Sequence, residues 1–238
     1  MSYKGKKVSV VIPTYNEAGS IRRVIDDFFA TGLVDEVVVV DNNALGKTKE
    51  EVAKTKAKEV YEKKQGYGHA IMKGLLETKG DLIIMSEADG TFQAKDIEKL
   101  LCYSDEFEAV LGTRTSRAAI YSGAFMPFPV RFGNWLWAKV VEVLFNGPVL
   151  TDVGCTYKLI NRRLLEEIKK YFHYSRGDGT FSPELMIWLL RRGKKIIEIP
   201  IIYKERVGQS GYTGSIWRAA KLGFKMIPVI LKYRFRKI

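Results

Sequence analysis

Within the first 112 residues, short β-branched runs alternate with stretches of helical periodicity, and each run stops at polar residues. Residues 7–12 (Lys-Val-Ser-Val-Val-Ile) read as a buried strand ended by Pro13. A helix from about Glu17 follows, because Ile21, Val24, Ile25, Phe28 and Phe29 fall on one face. Residues 36–40 carry four consecutive valines, which suits a central parallel strand covered on both sides. The spacing then predicts a helix over 47–57, a strand at 59–62, a helix at 68–78, a strand at 81–85, a helix near 94–104 and a strand at 108–111. Such a βαβ series predicts an α/β fold with a parallel sheet and right-handed crossovers. Ligands of these sheets bind beyond the carboxyl ends of the strands. Residues 13–17, 41–43 and 86–89 should therefore converge on one crevice.

The second half is less regular. A loop with Arg114 and Arg117 leads through a Pro/Phe segment to an apolar helix at about 131–146. A strand near 156–160, helices near 162–171 and 183–192, and a strand at 195–202 follow. The tail from Ser215 reads as helix until Pro228 disturbs it. No linker separates the halves, so one domain with two functional faces is expected.

Charge divides the chain more sharply than hydrophobicity does. Residues 1–112 hold 16 Lys+Arg against 19 Asp+Glu, whereas 113–238 hold 23 against 8. The net +12 thus belongs to the second half and predicts a polyanionic partner there. A nucleic-acid-binding module would explain the charge but not an acidic first half with carboxylates at strand ends, so no nucleic-acid partner is expected. Two cysteines and two histidines build neither a disulfide framework nor a histidine-rich metal site. The start of the chain lacks the apolar core of a secretory signal, and no apolar stretch is long enough to span a bilayer. A cytoplasmic globular protein is expected.

Two glycine motifs are decoys. Leu45-Gly-Lys-Thr lacks the earlier glycine of a phosphate-binding loop, and Gly66-Tyr-Gly68 has Ile71 where a dinucleotide fingerprint needs glycine. Gly66 and Gly68 instead end a strand and open a helix, with Gln65 and the loop backbone close to a ligand. Glu87-Ala-Asp89 carries more chemistry. Two carboxylates at i, i+2 beyond a buried strand can share one Mg²⁺ or Mn²⁺, which takes its other ligands from water and substrate phosphates. In Pro13-Thr-Tyr-Asn-Glu17, an aromatic and a carboxylate at a strand end suit stacking on and hydrogen bonding to a nucleotide. Asp41 is either a solvated strand end or an acceptor for a base N–H or ribose hydroxyl.

Pro13-Thr-Tyr-Asn-Glu17, Val40-Asp-Asn-Asn43, Gln65-Gly-Tyr-Gly68 and Glu87-Ala-Asp-Gly90, in that order, resemble a family 2 glycosyltransferase of GT-A fold. Gly112-Thr-Arg114, Arg131-Phe-Gly-Asn134, Asp152-Val-Gly-Cys-Thr-Tyr-Lys158, Phe181-Ser-Pro-Glu184 and Arg206-Val-Gly-Gln-Ser210 resemble the dolichyl-phosphate sugar synthases within it. The resemblance implies a GT-A domain over 1–212, with a Rossmann-like nucleotide-sugar half (1–112) and an acceptor half (113–212), and a basic tail at 213–238. It implies a nucleotide-sugar site of Pro13, Tyr15, Glu17, Asp41, Asn42, Gln65, Gly66, Glu87, Ala88 and Asp89. It implies Mg²⁺ or Mn²⁺ on Glu87 and Asp89, and Arg114 or Arg117, Arg131, Asn134, Arg206 and Ser210 toward the donor and acceptor phosphates. There are departures: Glu87 stands for the usual first aspartate, Asn42 for a second aspartate, and Thr91 for a metal-binding glutamine, with Gln93 nearby. Asp152 either orients the acceptor, acts as base, or is a plain loop aspartate.

The reaction implied is inverting transfer of a hexose from a UDP- or GDP-sugar to a polyprenyl (dolichyl) phosphate; a soluble acceptor is the alternative. A phosphate monoester, with its second pKa near ~6, is its own nucleophile at neutral pH, consistent with the scarcity of histidine. Independent support for a lipid acceptor comes from the tail. Arg218, Lys221, Lys225 and Lys232 form a basic stripe beside Ile216, Trp217, Leu222, Phe224, Ile227 and Ile230, with no acidic residue from 218 to 238. Such a helix suits an anionic membrane interface, placing the protein peripherally on the cytoplasmic side. The 131–146 helix is either a second such element or an ordinary core helix.

Overall fold

The computed structural model describes residues 3–208 and 215–235. The first strand, β1 (Val8–Thr14), lies between β2 (Glu36–Asp41) and β4 (Leu82–Met85), and β3 (Lys58–Tyr61) forms one edge. Beyond β4 come β6 (Lys158–Asn161), β5 (Ala109–Thr113) and, at the other edge, β7 (Ile196–Pro200). Six of the seven strands share one direction and β6 opposes both of its neighbours, so the sheet is predominantly parallel. Insertion of β6 separates β4 from β5, an order that the local pattern does not carry.

The valines explain the centre of the sheet. Val37 and Val39 enter the core on one face, while Val38 and Val40 enter the core on the other. The first face is covered by α1 (Ile21–Ala30), α2 (Thr48–Ala53) and α4 (Ile97–Cys102). The second carries α3 (Tyr67–Glu77), α5 (Phe128–Phe145), α6 (Arg162–Ile168), α7 (Phe181–Arg191) and α8 (Ile216–Phe235). Gly74 lets α3 lie close on the sheet, since a Cβ there would stand 2.4 Å from Val11 Cγ1 and 2.8 Å from Val40 Cγ2. Gly74→Ala should therefore cost about 1–3 kcal/mol by overpacking, read as a lowered midpoint in urea with an unchanged slope.

Several expected boundaries move. Pro13 does not end β1 but pairs in register with Val40. Val11 O accepts from Ser86 on the β4 side and Thr14 O from Asn42 on the β2 side. Alternation thus points the Pro13 backbone toward β4 beyond its last residue, Met85, and the missing N–H breaks no ladder bond. The 94–104 helix divides into a tight turn at Ala94–Asp96 and α4, and the 162–171 helix becomes α6 plus a 3₁₀ segment at Lys169–Tyr174.

The C-terminal helix runs through Pro228 to Phe235 instead of breaking there. Met226, Val229, Ile230 and Tyr233 are buried against α5 and α7, and that packing offsets the roughly 3 kcal/mol cost of an interior proline. Ile230 is therefore core, not surface. The α5 helix is not an ordinary core helix: only Ala138 and Val141 are buried, while Trp135, Leu136, Val143 and Leu144 are exposed.

Candidate active site

The carboxyl ends of β1, β2 and β4 open into one cavity of about 1170 Å³, which continues between α5 and α8. Pro13, Tyr15, Glu17, Asn42, Gln65, Glu87, Ala88 and Asp89 line it together, whereas Gly66 is buried and off the wall. Asp41 is not on this wall; its Oδ1 accepts from Ala44 N at 2.8 Å and shapes the turn after β2.

At the end of β4, Asp89 is 1% exposed. Its Oδ1 accepts from Thr91 N at 2.9 Å and Thr91 Oγ1 at 2.6 Å, and Arg206 Nη1 lies 2.6 Å from Oδ2. Thr91, where the resemblance places a metal-binding glutamine, thus orients Asp89. Glu87 accepts from Thr156 Oγ1 at 2.7 Å. Burial, and then the neighbouring Asp89 charge, push the Glu87 carboxyl up to about 8. A crowded carboxylate pair of this kind fits a divalent cation, because a cation relieves the repulsion that raises Glu87. Arg206 already places one positive charge there. Gln93 does not line the cavity, and its carbonyl accepts from Tyr157 OH at 3.2 Å. Among the described residues no three His, Cys, Asp or Glu side chains form a metal-ligand group. Glu87 and Asp89 would hold the ion, with water and diphosphate completing its shell.

Arg206 joins two motifs far apart in sequence. Its guanidinium also reaches Glu17 Oε1 at 3.2 Å, and its strap is tied down by Lys204 N to Thr91 O (2.8 Å) and Val207 N to Asp89 O (2.9 Å). Burial raises Glu17 above the usual carboxylate range, although Tyr15 N, Thr14 and Arg206 all favour its charge. Ser210, expected beside these groups, lies outside the described residues.

Asp152 and Arg114 form a buried bidentate pair. Asp152 Oδ2 accepts from Arg114 N and Nε, both at 2.9 Å, and Oδ1 from Arg114 Nη2 at 3.0 Å and Gly154 N at 3.1 Å. Burial acts to raise the Asp152 carboxyl, but the Arg114 charge and hydrogen bonds outweigh it and hold it below its ordinary range. With both oxygens engaged and the charged form favoured, Asp152 positions Arg114. Below the pair, Glu198 of β7 accepts from Asp152 N at 3.0 Å and Thr151 N at 2.6 Å. Arg114 lines the cavity and stacks on Tyr203, its guanidinium carbon 5.2 Å from the ring centre.

Asn134 lines the cavity near this pair, its Oδ1 2.8 Å from where a Gly154 Cβ would stand. Two expected arginines do not converge. Arg117 is exposed on a 3₁₀ turn, and Arg131 packs over Phe128 at the start of α5; neither lines the cavity. Thr156 and Tyr203 are wall residues that the sequence reading missed. Thr156 falls within Asp152-Val-Gly-Cys-Thr-Tyr-Lys158, its only signal in the sequence; Tyr203 has none.

The family model described as Glycosyl transferase family 2 matches residues 9–169. A dolichyl-phosphate hexose transferase of Haloferax volcanii is 30% identical over 98% of both chains. An undecaprenyl-phosphate mannosyltransferase of Micrococcus luteus is 28% identical over 88% of this chain and 89% of its own. Among solved structures, glucosyl-3-phosphoglycerate synthase of Mycobacterium tuberculosis, with Mn²⁺, UDP-glucose and phosphoglyceric acid, superposes with a TM-score of 0.74 at 19% identity, covering 99% of this chain and 82% of that one. At that identity the likeness is one of fold, and the fold is GT-A. A family match over residues 9–169, about two thirds of the chain, together with a relative similar along nearly its whole length, means that the chain belongs to glycosyl transferase family 2 and is a glycosyltransferase.

Proposed function

We propose that this glycosyltransferase moves a hexose from a nucleotide sugar to a polyprenyl phosphate at a membrane surface, with the help of Mg²⁺ or Mn²⁺. The observation that carries the reading is the shape of the cavity. It begins at the strand-end polar groups, passes Glu87, Asp89, Arg114 and Arg206, and ends among Val130, Leu136, Trp137, Leu222 and Phe224 between α5 and α8. A polar end suits a nucleotide diphosphate, and an apolar end beside arginine suits a phosphate on a hydrocarbon chain. Relatives named for dolichyl- and undecaprenyl-phosphate support that acceptor class.

The protein's tasks are to hold two anions together and to stabilise the leaving diphosphate. Glu87 and Asp89 would hold the divalent ion, which when bound neutralises charge on the leaving diphosphate. Arg114, oriented by Asp152, and Arg206, oriented by Glu17 and Asp89, supply fixed guanidinium groups for phosphate oxygens. The acceptor phosphate brings its own nucleophile, so no side-chain base is required. Attack opposite the leaving group inverts the anomeric carbon.

Membrane contact would use the outer faces of α5 and α8. Phe132, Trp135 and Val143 on α5, and Trp217, Ile227 and Phe235 on α8, are exposed and lie off the cavity wall. No helix among the described residues is long and apolar enough to cross a membrane, so the contact proposed is peripheral.

The test is nucleoside diphosphate release from a panel of UDP- and GDP-sugars, with and without a polyprenyl phosphate in anionic vesicles. Release that depends on one donor and on the lipid phosphate is expected; release that ignores the lipid would overturn the acceptor assignment. Removing α8 is a poor control because its inner face is core. Trp217→Ser with Phe235→Ser is better, since neither lines the cavity: each aromatic inserted into the membrane is worth about 1.5–3 kcal/mol of transfer, so vesicle flotation and lipid-dependent turnover should fall at least about tenfold. The donor KM should not change.

A further inference from the structure

An amide chain runs from Asn42 and Asn43, at the end of β2, to Gln65 in the loop between β3 and α3, and its orientation is fixed from the backbone outward. Asn42, 4% exposed, donates through Nδ2 to Glu62 O at 2.9 Å and Lys64 O at 2.8 Å. Its Oδ1 must therefore face the other way, where it accepts from Gly66 N at 2.8 Å and Gln65 Nε2 at 3.3 Å. Asn43, in the left-handed region at φ 65°, donates through Nδ2 to Lys63 O and to Gln65 Oε1, both at 3.1 Å, while its Oδ1 accepts from Tyr61 OH at 2.6 Å. Neither asparagine can turn its amide without losing bonds to main-chain oxygens. Gln65 is consequently locked at both ends. One Nε2–H and one Oε1 lone pair remain, on a side chain that is exposed and lines the nucleotide end of the cavity.

A donor next to an acceptor is the pattern complementary to uracil, which offers N3–H beside a carbonyl oxygen. Guanine offers N1–H and the exocyclic N2–H₂ together, and is matched by a carboxylate with two acceptor oxygens. The carboxylates near this end are engaged: Glu17 holds Thr14, Tyr15 N and Arg206, and Asp41 lies off the wall. Guanine could pair with Gln65 through N1–H and O6, but its amine would then meet no carboxylate there, and an unmet buried donor is costly.

We propose that Gln65, held by Asn42 and Asn43, reads the base of the donor nucleotide and selects uracil over guanine. The proposal rests on the nucleotide-sugar reading above and deepens it. It also gives Asn42 a reason to be an amide: aspartate would lose both donors to Glu62 O and Lys64 O and set a carboxylate against those carbonyls.

The test is titration calorimetry of UDP and of GDP, each with Mg²⁺, on the full chain and on Gln65→Glu and Asn43→Gly. Asn43→Gly keeps the left-handed backbone and removes the amide that fixes Gln65 Oε1, along with its bonds to Lys63 O and Tyr61 OH. The unmodified chain should bind UDP at least about tenfold more tightly than GDP, the value of one well-made hydrogen bond pair. Gln65→Glu should lower UDP affinity by a similar factor and leave or improve GDP affinity; Asn43→Gly should narrow the ratio with little change in melting temperature. A general loosening of the loop would weaken both nucleotides equally and leave the ratio alone. Tighter GDP binding by the unmodified chain, or a ratio unmoved by Gln65→Glu, overturns the proposal. Binding of neither nucleotide overturns the functional reading as well. UDP binding without transfer to lipid phosphate overturns that acceptor reading while the base preference stands.

Discussion

Asp89→Asn should reduce the rate of nucleoside diphosphate release by about 10²–10³-fold or more, the range seen when a group that stabilises developing charge is removed. The substitution is nearly isosteric and keeps the Oδ1 acceptor for Thr91 N and Oγ1, so the turn after β4 should stay folded. What disappears is the negative charge. The amide turns a donor toward Arg206 Nη1, which leaves that guanidinium only Glu17 as a carboxylate partner. Glu87, pushed up by burial and by Asp89, then stands alone and no longer forms a pair able to hold a divalent ion. Single-turnover release, with a melting curve to show that the fold persists, measures the effect. A rate within threefold of the unmodified protein would remove Asp89 from the chemistry.

Asp152→Asn should have the largest effect on stability. It leaves the Arg114 guanidinium buried without its counter-charge, and breaking a buried pair from one side costs about 3–5 kcal/mol. For a domain of this size that is a fall of roughly 6–20 °C in melting temperature. The double variant Arg114→Met with Asp152→Leu removes both charges, so most of the stability should return. Turnover should not return, because Arg114 faces the cavity and its charge is what a phosphate needs. Recovery of turnover along with stability would show that the pair is architectural only.

The same pair sets an acid limit. The folded Asp152 carboxyl lies below its ordinary value, so the unfolded chain takes up this proton first as pH falls. The pair's contribution is present above the unfolded value, near ~3.9 for aspartate, and is lost as pH drops through the folded one. Acid unfolding of the double variant should lack that component.

Much of the fold was legible because its signals are local. A strand buried on both faces needs consecutive β-branched residues, and residues 36–40 supply them. A strand-end ligand site needs polar groups directly after such runs, and 13–17 and 87–89 meet that condition. The family resemblance rests on the same short segments in order. Pro13 and Pro228 misled the local reading because a proline's cost depends on what surrounds it: β4 ends before any acceptor faces the Pro13 nitrogen, and core packing holds α8 together across Pro228.

Sequence by itself determined the α/β class, the Glu87–Asp89 pair, the basic second half and the glycosyltransferase family. Tertiary structure decided which cations serve the site. Arg114, Arg117, Arg131 and Arg206 are chemically equivalent along the chain, yet only Arg114 and Arg206 reach the cavity wall, each through a carboxylate remote in sequence. Tertiary structure also decided that Asp152 is a partner to arginine, and that Gln65 is held by two asparagines from the end of β2. The physical reason is common to all three. Residue type fixes what a side chain can donate, accept or ionise, but its partner depends on which remote backbone the packed core brings within about 3 Å, the reach of a hydrogen bond.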